Sequence, residues 1–249
     1  MMYEAFAQVY DRLMDDFDYP AWAEYYIALL KRGGTNPATL CECACGTGSV
    51  TAEFARRGLR VTASDISGDM LEIARQKLFS KGVQAMLVRR DMCEMALPKP
   101  VDAVVCACDG VNYLTTDARL RAFFRSAWAM LKPNGSLAFD ISSAYKLKYV
   151  LGEKFYGEER DDVAYLWSNT WHEEKQTVEM DLTFFVREKD GRYRRFEEHH
   201  IQKAHDPEHL TALLRECGFE DIEVFGDRTW QSPRENELRL HLSAHKGIG

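Results

Sequence analysis

Residues 40–51 read Leu40-Cys41-Glu42-Cys43-Ala44-Cys45-Gly46-Thr47-Gly48-Ser49-Val50-Thr51. A short apolar run reaches one acid, Glu42, then a turn of small residues, Ala44 to Gly48, and then a helical pattern. A strand that ends this way delivers a nucleotide-like ligand to a loop at the carboxyl edge of a parallel sheet. The glycines let the backbone turn sharply and come close to that ligand. Glu42 inside the strand narrows the ligand: it would repel a pyrophosphate and attract an ammonium group of the methionine type.

Spacing extends the reading. A second strand over residues 59–64 ends at Asp65, about 20 positions past the turn, where a carboxylate can accept hydrogen bonds from two ribose hydroxyls. Ile66 and a helix carrying Met70 bring apolar side chains to the expected base. A third strand over 83–88 runs into Asp91 and Met92, which can accept from a base's amino group and cover its ring. A fourth strand over 101–107 leads to Asp109, Asn112 and Tyr113. Leu131-Lys132-Pro133-Asn134-Gly135-Ser136 closes a helix and opens a fifth strand.

These pieces, in this order, resemble the class I S-adenosylmethionine-dependent methyltransferases. Glu42 to Gly48 is similar to that family's acidic-x-Gly-x-Gly-x-Gly motif, with Ala44 at the first glycine. Residues 131–136 are similar to its Leu-Lys-Pro-Gly-Gly phrase, with Asn134 at the first glycine. The rival dinucleotide fingerprint, Gly-x-Gly-x-x-Gly, fails because Thr51 stands at its third glycine. The opening Val9-Tyr10-Asp11-Arg12-Leu13-Met14, with Asp18-Tyr19-Pro20-Ala21-Trp22, resembles a bacterial YqeM-like subgroup. The resemblance implies an α/β fold: a Rossmann-like seven-stranded sheet with helices on both faces and an antiparallel last strand. It implies S-adenosylmethionine as cofactor, with Glu42, Ala44, Cys45, Gly46, Thr47, Gly48, Asp65, Ile66, Met70, Asp91, Met92 and Asp109 around it.

The rest of the chain organises about that core. Residues 1–34 read as a helical cap, with Pro20 opening its second helix and Gly33-Gly34 ending it. Tyr10 and Trp22 are its candidates for reaching the cofactor. Residues 35–143 form the cofactor-binding core by strand–helix alternation. Over 144–205 the period shifts to two, in segments 165–171, 177–187 and 192–203, which predicts an inserted antiparallel sheet on the acceptor side. Residues 206–249 complete the core with a helix and strands at 219–225 and 237–245. Glu198, His200 and Gln202 share one face of the last inserted strand. His200 could serve as a base, because its ordinary pKa lies near working pH. Asp109 and Glu198 are the other catalytic candidates, although methyl transfer can proceed with no essential base.

Composition limits the partners. A net charge of −7 argues against broad nucleic-acid binding. No apolar run reaches the roughly 18 residues of a membrane span, and the first residues lack a signal-peptide core, which leads to a cytoplasmic expectation. Seven cysteines fit that compartment, and the Cys-x-Cys-x-Cys spacing does not suit a metal. The expected activity is methyl transfer to a small-molecule acceptor. RNA or protein methylation, and cofactor binding without catalysis, stand as alternatives. The sequence does not choose among oxygen, nitrogen and carbon, nor an oligomeric state.

Overall fold

In the computed structural model, residues 7, 9, 11, 13, 17–160 and 162–247 are described. Ala7, Val9, Asp11 and Leu13 are helical. Helix α1 (Tyr19–Arg32) starts where the Asp18 carboxylate accepts from Ala21 N, with Pro20 in the first turn, and Gly33 caps its end. Its buried face carries Trp22, Tyr25, Tyr26, Leu29 and Leu30.

The core then alternates: β1 (Thr39–Cys43), α2 (Ser49–Arg56), β2 (Arg60–Asp65), α3 (Gly68–Ser80), β3 (Met86–Arg89), β4 (Val101–Cys106), α4 (Asp117–Met130) and β5 (Leu131–Ser142). Four strands follow: β6 (Phe155–Glu159), β7 (Val163–His172), β8 (Thr177–Arg187) and β9 (Tyr193–Lys203). Helix α5 (Pro207–Glu216) and strands β10 (Phe219–Phe225) and β11 (Arg239–Lys246) end the chain. The seven-stranded sheet runs β10-β11-β5-β4-β1-β2-β3, with β11 antiparallel to both neighbours. The expected methyltransferase sheet is therefore present.

Alternation along β1 explains the two cores. Leu40 packs into a cluster with Leu29, Leu30, Phe54 and Val105 on one face. Cys41 and Cys43 join Cys106, Phe123, Phe124 and Phe139 on the other. These three thiols are fully buried, as small apolar side chains usually are. Glu42 shares the Leu40 face and so points toward α2.

The structure departs most from the sequence reading at β3 and in the second sheet. Strand β3 begins at Met86 rather than at position 83, because Val83 N–H is still donating to Leu78 O at the end of α3 (3.1 Å). The second sheet has four strands, β6-β7-β8-β9, not three. Strand β6 (Phe-Tyr-Gly-Glu-Glu) has no clear alternation of its own, and pairing to β7 makes it a strand. A π-helical turn, Lys146–Leu151, joins it to β5.

Asn112 splices the two sheets. Its Nδ2 donates to Ser142 O (3.0 Å) and Lys203 O (2.8 Å), and its Oδ1 accepts from Ser142 N (2.9 Å). It is a fully buried joint. Among the described residues no helix is long and apolar enough to cross a membrane.

Candidate functional site

The small-residue turn is built from left-handed backbone. Ala44, Gly46 and Gly48 have φ of 54°, 52° and 71°. Cys45 N–H donates to Ser64 O (2.9 Å), tying the turn to β2. Gly46 N–H donates to Asp65 Oδ2 and Ser67 N–H to Asp65 Oδ1, each at 2.8 Å. Gly48 serves packing, since a Cβ there would lie 2.8 Å from the Ala74 Cβ. Gly110 serves close approach, since its Cβ would lie 2.7 Å from Cys106 Sγ and 3.1 Å from the Ala44 Cβ. Gly46 differs: a Cβ there would meet nothing within 4 Å and would project into open space.

That space is a cavity of about 340 Å³ at the carboxyl ends of β1, β2 and β4. Ala44, Gly46, Asp65, Ile66, Met70, Asp91 and Met92 line it, together with Cys108, Tyr113, Arg119 and His200. Burial pushes the Asp65 carboxyl up, against the hydrogen bonds from Ser67 and Gly46. Burial pushes Asp91 the same way, but Cys93 N–H and the Arg119 guanidinium (2.9 Å) outweigh it and hold the carboxyl low. Two separated carboxylates with Ile66, Met70 and Met92 between them suit a ribose and a base. The open side of Gly46 admits backbone-close contact. The residues thus fit an adenosyl cofactor.

Other expected cofactor residues lie off this lining. Glu42 is buried beneath the turn and accepts from the Thr51 hydroxyl. Burial pushes its carboxyl up to about 8, with the Thr51 bond opposing and the Asp65 charge adding. Thr47 is bonded to Asp11 Oδ1 (2.6 Å), and Lys77 Nζ joins Asp11, Thr47 and Ser49 in one network. Cys45 is buried. Trp22 packs against Phe17 and His241, under the Arg239 guanidinium. Tyr10 lies outside the described residues.

A second cavity, of about 320 Å³, adjoins the first and shares Cys108, Tyr113 and His200 with it. The four-stranded sheet roofs it with Tyr165, Trp167, Met180, Leu182 and Phe184. Leu13 and Phe17 reach it from the N-terminal side, and Asp109, Lys146, Gln202 and Arg239 supply polar groups. The register pairs Met180 with His200 and Leu182 with Glu198, so the column Glu198, His200, Gln202 faces this side.

The candidate acids and bases sit in different settings. Burial pushes His200 down, with His199 adding, and its Nδ1 lies 3.4 Å from the Tyr113 hydroxyl. Glu198 is buried with Oε1 unpartnered among the described residues, and burial pushes its carboxyl up to about 7. Burial would also raise Asp109, but the Arg239 and Lys146 charges outweigh it and hold the carboxyl low. Arg239 bonds Asp109 (2.8 Å) and also Asp140. Asp140, fully buried at the end of β5, accepts from Tyr26 Oη (2.5 Å), Cys108 N (2.7 Å) and Asp109 N (2.9 Å). That grip holds Cys108 and Asp109 at φ of 58° and 54°, a costly pair of left-handed residues at the junction of the cavities. Asp140, Arg239 and Lys146 had no distinguishing signal in the sequence: each reads as an ordinary strand or loop residue.

Comparison with known proteins agrees with this geometry. The family described as "Methyltransferase domain" matches residues 40–135. Two chains named "Putative methyltransferase" match nearly end to end. The one from Geobacillus sp. (strain WCH70) is 33% identical over 99% of this chain and 100% of its own. YqeM of Bacillus subtilis (strain 168) is 34% identical over 99% and 98%. A dTDP-3-amino-3,4,6-trideoxy-alpha-D-glucopyranose N,N-dimethyltransferase of Streptomyces venezuelae is 33% identical over 54% of this chain and 56% of its own. The crystal structure of an S-adenosylmethionine-dependent methyltransferase from Clostridium acetobutylicum ATCC 824 has a TM-score of 0.88 at 28% identity, covering 98% and 99% of the two chains. That of Streptomyces venezuelae DesVI has 0.79 at 23%, covering 96% and 97%. With the glycine turn, the seven-stranded order and full-length relatives all in agreement, the chain belongs to the S-adenosylmethionine-dependent methyltransferase family, in the group that holds YqeM.

Proposed function

We propose that this enzyme methylates a small molecule seated between the seven-stranded core and the four-stranded sheet. The observation that carries the reading is the pair of adjoining cavities with Cys108, Tyr113 and His200 as their common wall. Bound S-adenosylmethionine supplies a methyl group already activated on a cationic sulfur. Asp65 would hold the ribose hydroxyls, since its carboxylate accepts from Gly46, Ser67 and Ile66 N–H and, with about four lone-pair sites, retains acceptor capacity. Asp91 would receive the adenine amino group, with Met70 and Met92 covering the ring. The turn 44–48 would receive the methionine end, with the Glu42 carboxyl beneath it, which burial holds protonated near neutral pH and which a bound ammonium would draw toward ionisation.

The chain's own part in the reaction is orientation and exclusion of water. The inserted segment 144–205 acts as the acceptor-side lid, and Leu13 and Phe17 of the N-terminal region close the other side. His200, held neutral by burial beside Tyr113, is the group able to take a proton from an acceptor that loses one. Asp109 is engaged by Arg239, Gln202 and Ser142 and acts as a positioning residue. The amino-sugar activity in the Streptomyces venezuelae relative's name supports a small acceptor. The free cysteines suit a cytoplasmic setting.

The test has two parts. Calorimetric titration should give micromolar binding of both S-adenosylmethionine and S-adenosylhomocysteine. Incubation with methyl-labelled cofactor and a cell extract should then place label in the low-mass fraction after ultrafiltration. Label in RNA or protein alone would refute the small-molecule reading. Cofactor binding with no transfer would favour a sensor.

A further inference from the structure

The cavity beneath the four-stranded sheet holds donors without acceptors. Arg239 is shared between the Asp109 and Asp140 carboxylates. Asp109 also accepts from Gln202 Nε2 (3.2 Å) and the Ser142 hydroxyl (3.3 Å). Lys146 lies in the field of the Asp109, Asp140 and Asp227 carboxylates without a direct ion pair to any of them among the described residues. Its ammonium donates to Ser142 Oγ (3.1 Å), and among the described residues it makes no other hydrogen bond or ion pair. An ammonium has three N–H donors, so two are left for a ligand. Trp167 lines the same cavity, and its indole N–H is buried with no acceptor among the described residues. Buried donors are rarely left unmade, because each costs its full desolvation.

The setting selects the ligand's chemistry. Both unfilled groups are donors, and one of them is charged, so the missing partner is an anionic oxygen. The walls around them, Tyr165, Met180, Leu182 and Phe184, suit a flat apolar body. About 320 Å³ is at the small end of ligand pockets, the scale of a single substituted ring. Lys146 opens a π-helical turn, a backbone feature that recurs at functional sites. Glu198, the acid on this face of β9, sits in the register row of Leu182 and Trp167 but does not line the cavity.

We propose that the methyl acceptor is a small organic acid, an apolar ring bearing a carboxylate, whose carboxylate is received by Lys146 with the Trp167 indole N–H as a second donor in the cavity. This rests on the reading of that cavity as the acceptor site. Burial pushes the Lys146 ammonium down from its ordinary value, against the Asp109, Asp140 and Asp227 charges, and a bound carboxylate would push it back up.

The experiment uses the full chain saturated with S-adenosylhomocysteine. The probes are amino- and hydroxybenzoates and the neutral amide of each, followed by calorimetry and by tryptophan fluorescence. The expected result is that acids bind about tenfold to a hundredfold more tightly than their amides, the scale of a hydrogen bond to a charged partner. Lys146→Met should abolish that preference while leaving S-adenosylhomocysteine affinity intact, which also shows that the variant folds. Lys146→Arg should keep the preference. Amides binding as well as acids, a preference that survives Lys146→Met, or no binding of any acid would each overturn the proposal. Failure of the wild-type chain to bind S-adenosylhomocysteine would instead overturn the reading of the cofactor site.

Discussion

Gly48→Ala and Gly46→Ala should fail in opposite ways, although both lie in the same turn. At Gly48 the backbone is left-handed, at φ 71°, and the new Cβ would sit 2.8 Å from the Ala74 Cβ and 3.4 Å from its Cα. Two carbons prefer about 3.5–4.0 Å, so the overlap is close to 1 Å. Ala74 is fully buried on α3 and has no flexible side chain to move aside. The left-handed backbone costs alanine about 1–2 kcal/mol. Overpacking adds about 1–3 kcal/mol. Reduced freedom of the unfolded chain returns about 0.4–1 kcal/mol. The net loss is about 1–4.5 kcal/mol, centred on about 3. At Gly46 the backbone term is the same, but nothing lies within 4 Å, so the loss is about 1 kcal/mol or less. With a urea slope of about 2–3 kcal/mol per molar, the Gly48→Ala midpoint should fall by about 1 M and the Gly46→Ala midpoint by a few tenths. Tryptophan fluorescence reads both. Calorimetry should show the reverse order for S-adenosylhomocysteine, since the Gly46→Ala methyl projects into the cofactor cavity. Ala74→Gly placed on Gly48→Ala should recover part of the lost stability. Equal midpoints for the two single variants would refute the packing role assigned to Gly48.

Glu42→Gln tests a buried carboxyl by pH. The folded pKa of about 8 is above the unfolded value of 4.5, so the stability it contributes is complete below the unfolded value and is lost as pH rises through about 8. The wild-type urea midpoint should therefore fall between pH 5 and pH 9 more steeply than that of Glu42→Gln, and parallel profiles would count against the shift. Asp65→Ala should weaken S-adenosylhomocysteine binding by tenfold or more with little loss of fold, and unchanged affinity by calorimetry would remove Asp65 from the site. His200→Ala should retain cofactor affinity within about threefold and lower kcat by about 10²–10⁴ for an acceptor that loses a proton; normal turnover would exclude it as base. Asp140→Leu, which leaves Arg239 with one carboxylate and frees Cys108 and Asp109, should destabilise by about 3–5 kcal/mol in denaturant titration.

Much of the cofactor side could be read from local pattern. Glu42 to Gly48, Asp65, Asp91 and the phrase at 131–136 each sit at a strand end, where period and turn chemistry announce themselves. Even the exceptions follow local rules: Asn134 takes the left-handed backbone, φ 60°, that its glycine-like place requires. The four-stranded sheet was visible as three alternating segments, while β6 was hidden because only its pairing with β7 makes it a strand.

The acceptor side depended on contacts between distant segments. Asp140 serves Tyr26, Cys108, Asp109 and Arg239, partners spread from α1 to β11. Asn112 is the joint between sheets, because its amide meets Ser142 and Lys203 only once both sheets are in place. Lys146 carries no motif; what distinguishes it is an ammonium at the second cavity with one hydrogen bond, to Ser142, among the described residues. The sequence by itself determined the sheet, the glycine turn and the cofactor class, since strand period, glycine φ and acid spacing are properties of short stretches. The second cavity, its charge arrangement and the common wall of Cys108, Tyr113 and His200 were decided only by tertiary structure, because each arises from side chains that the chain order keeps far apart.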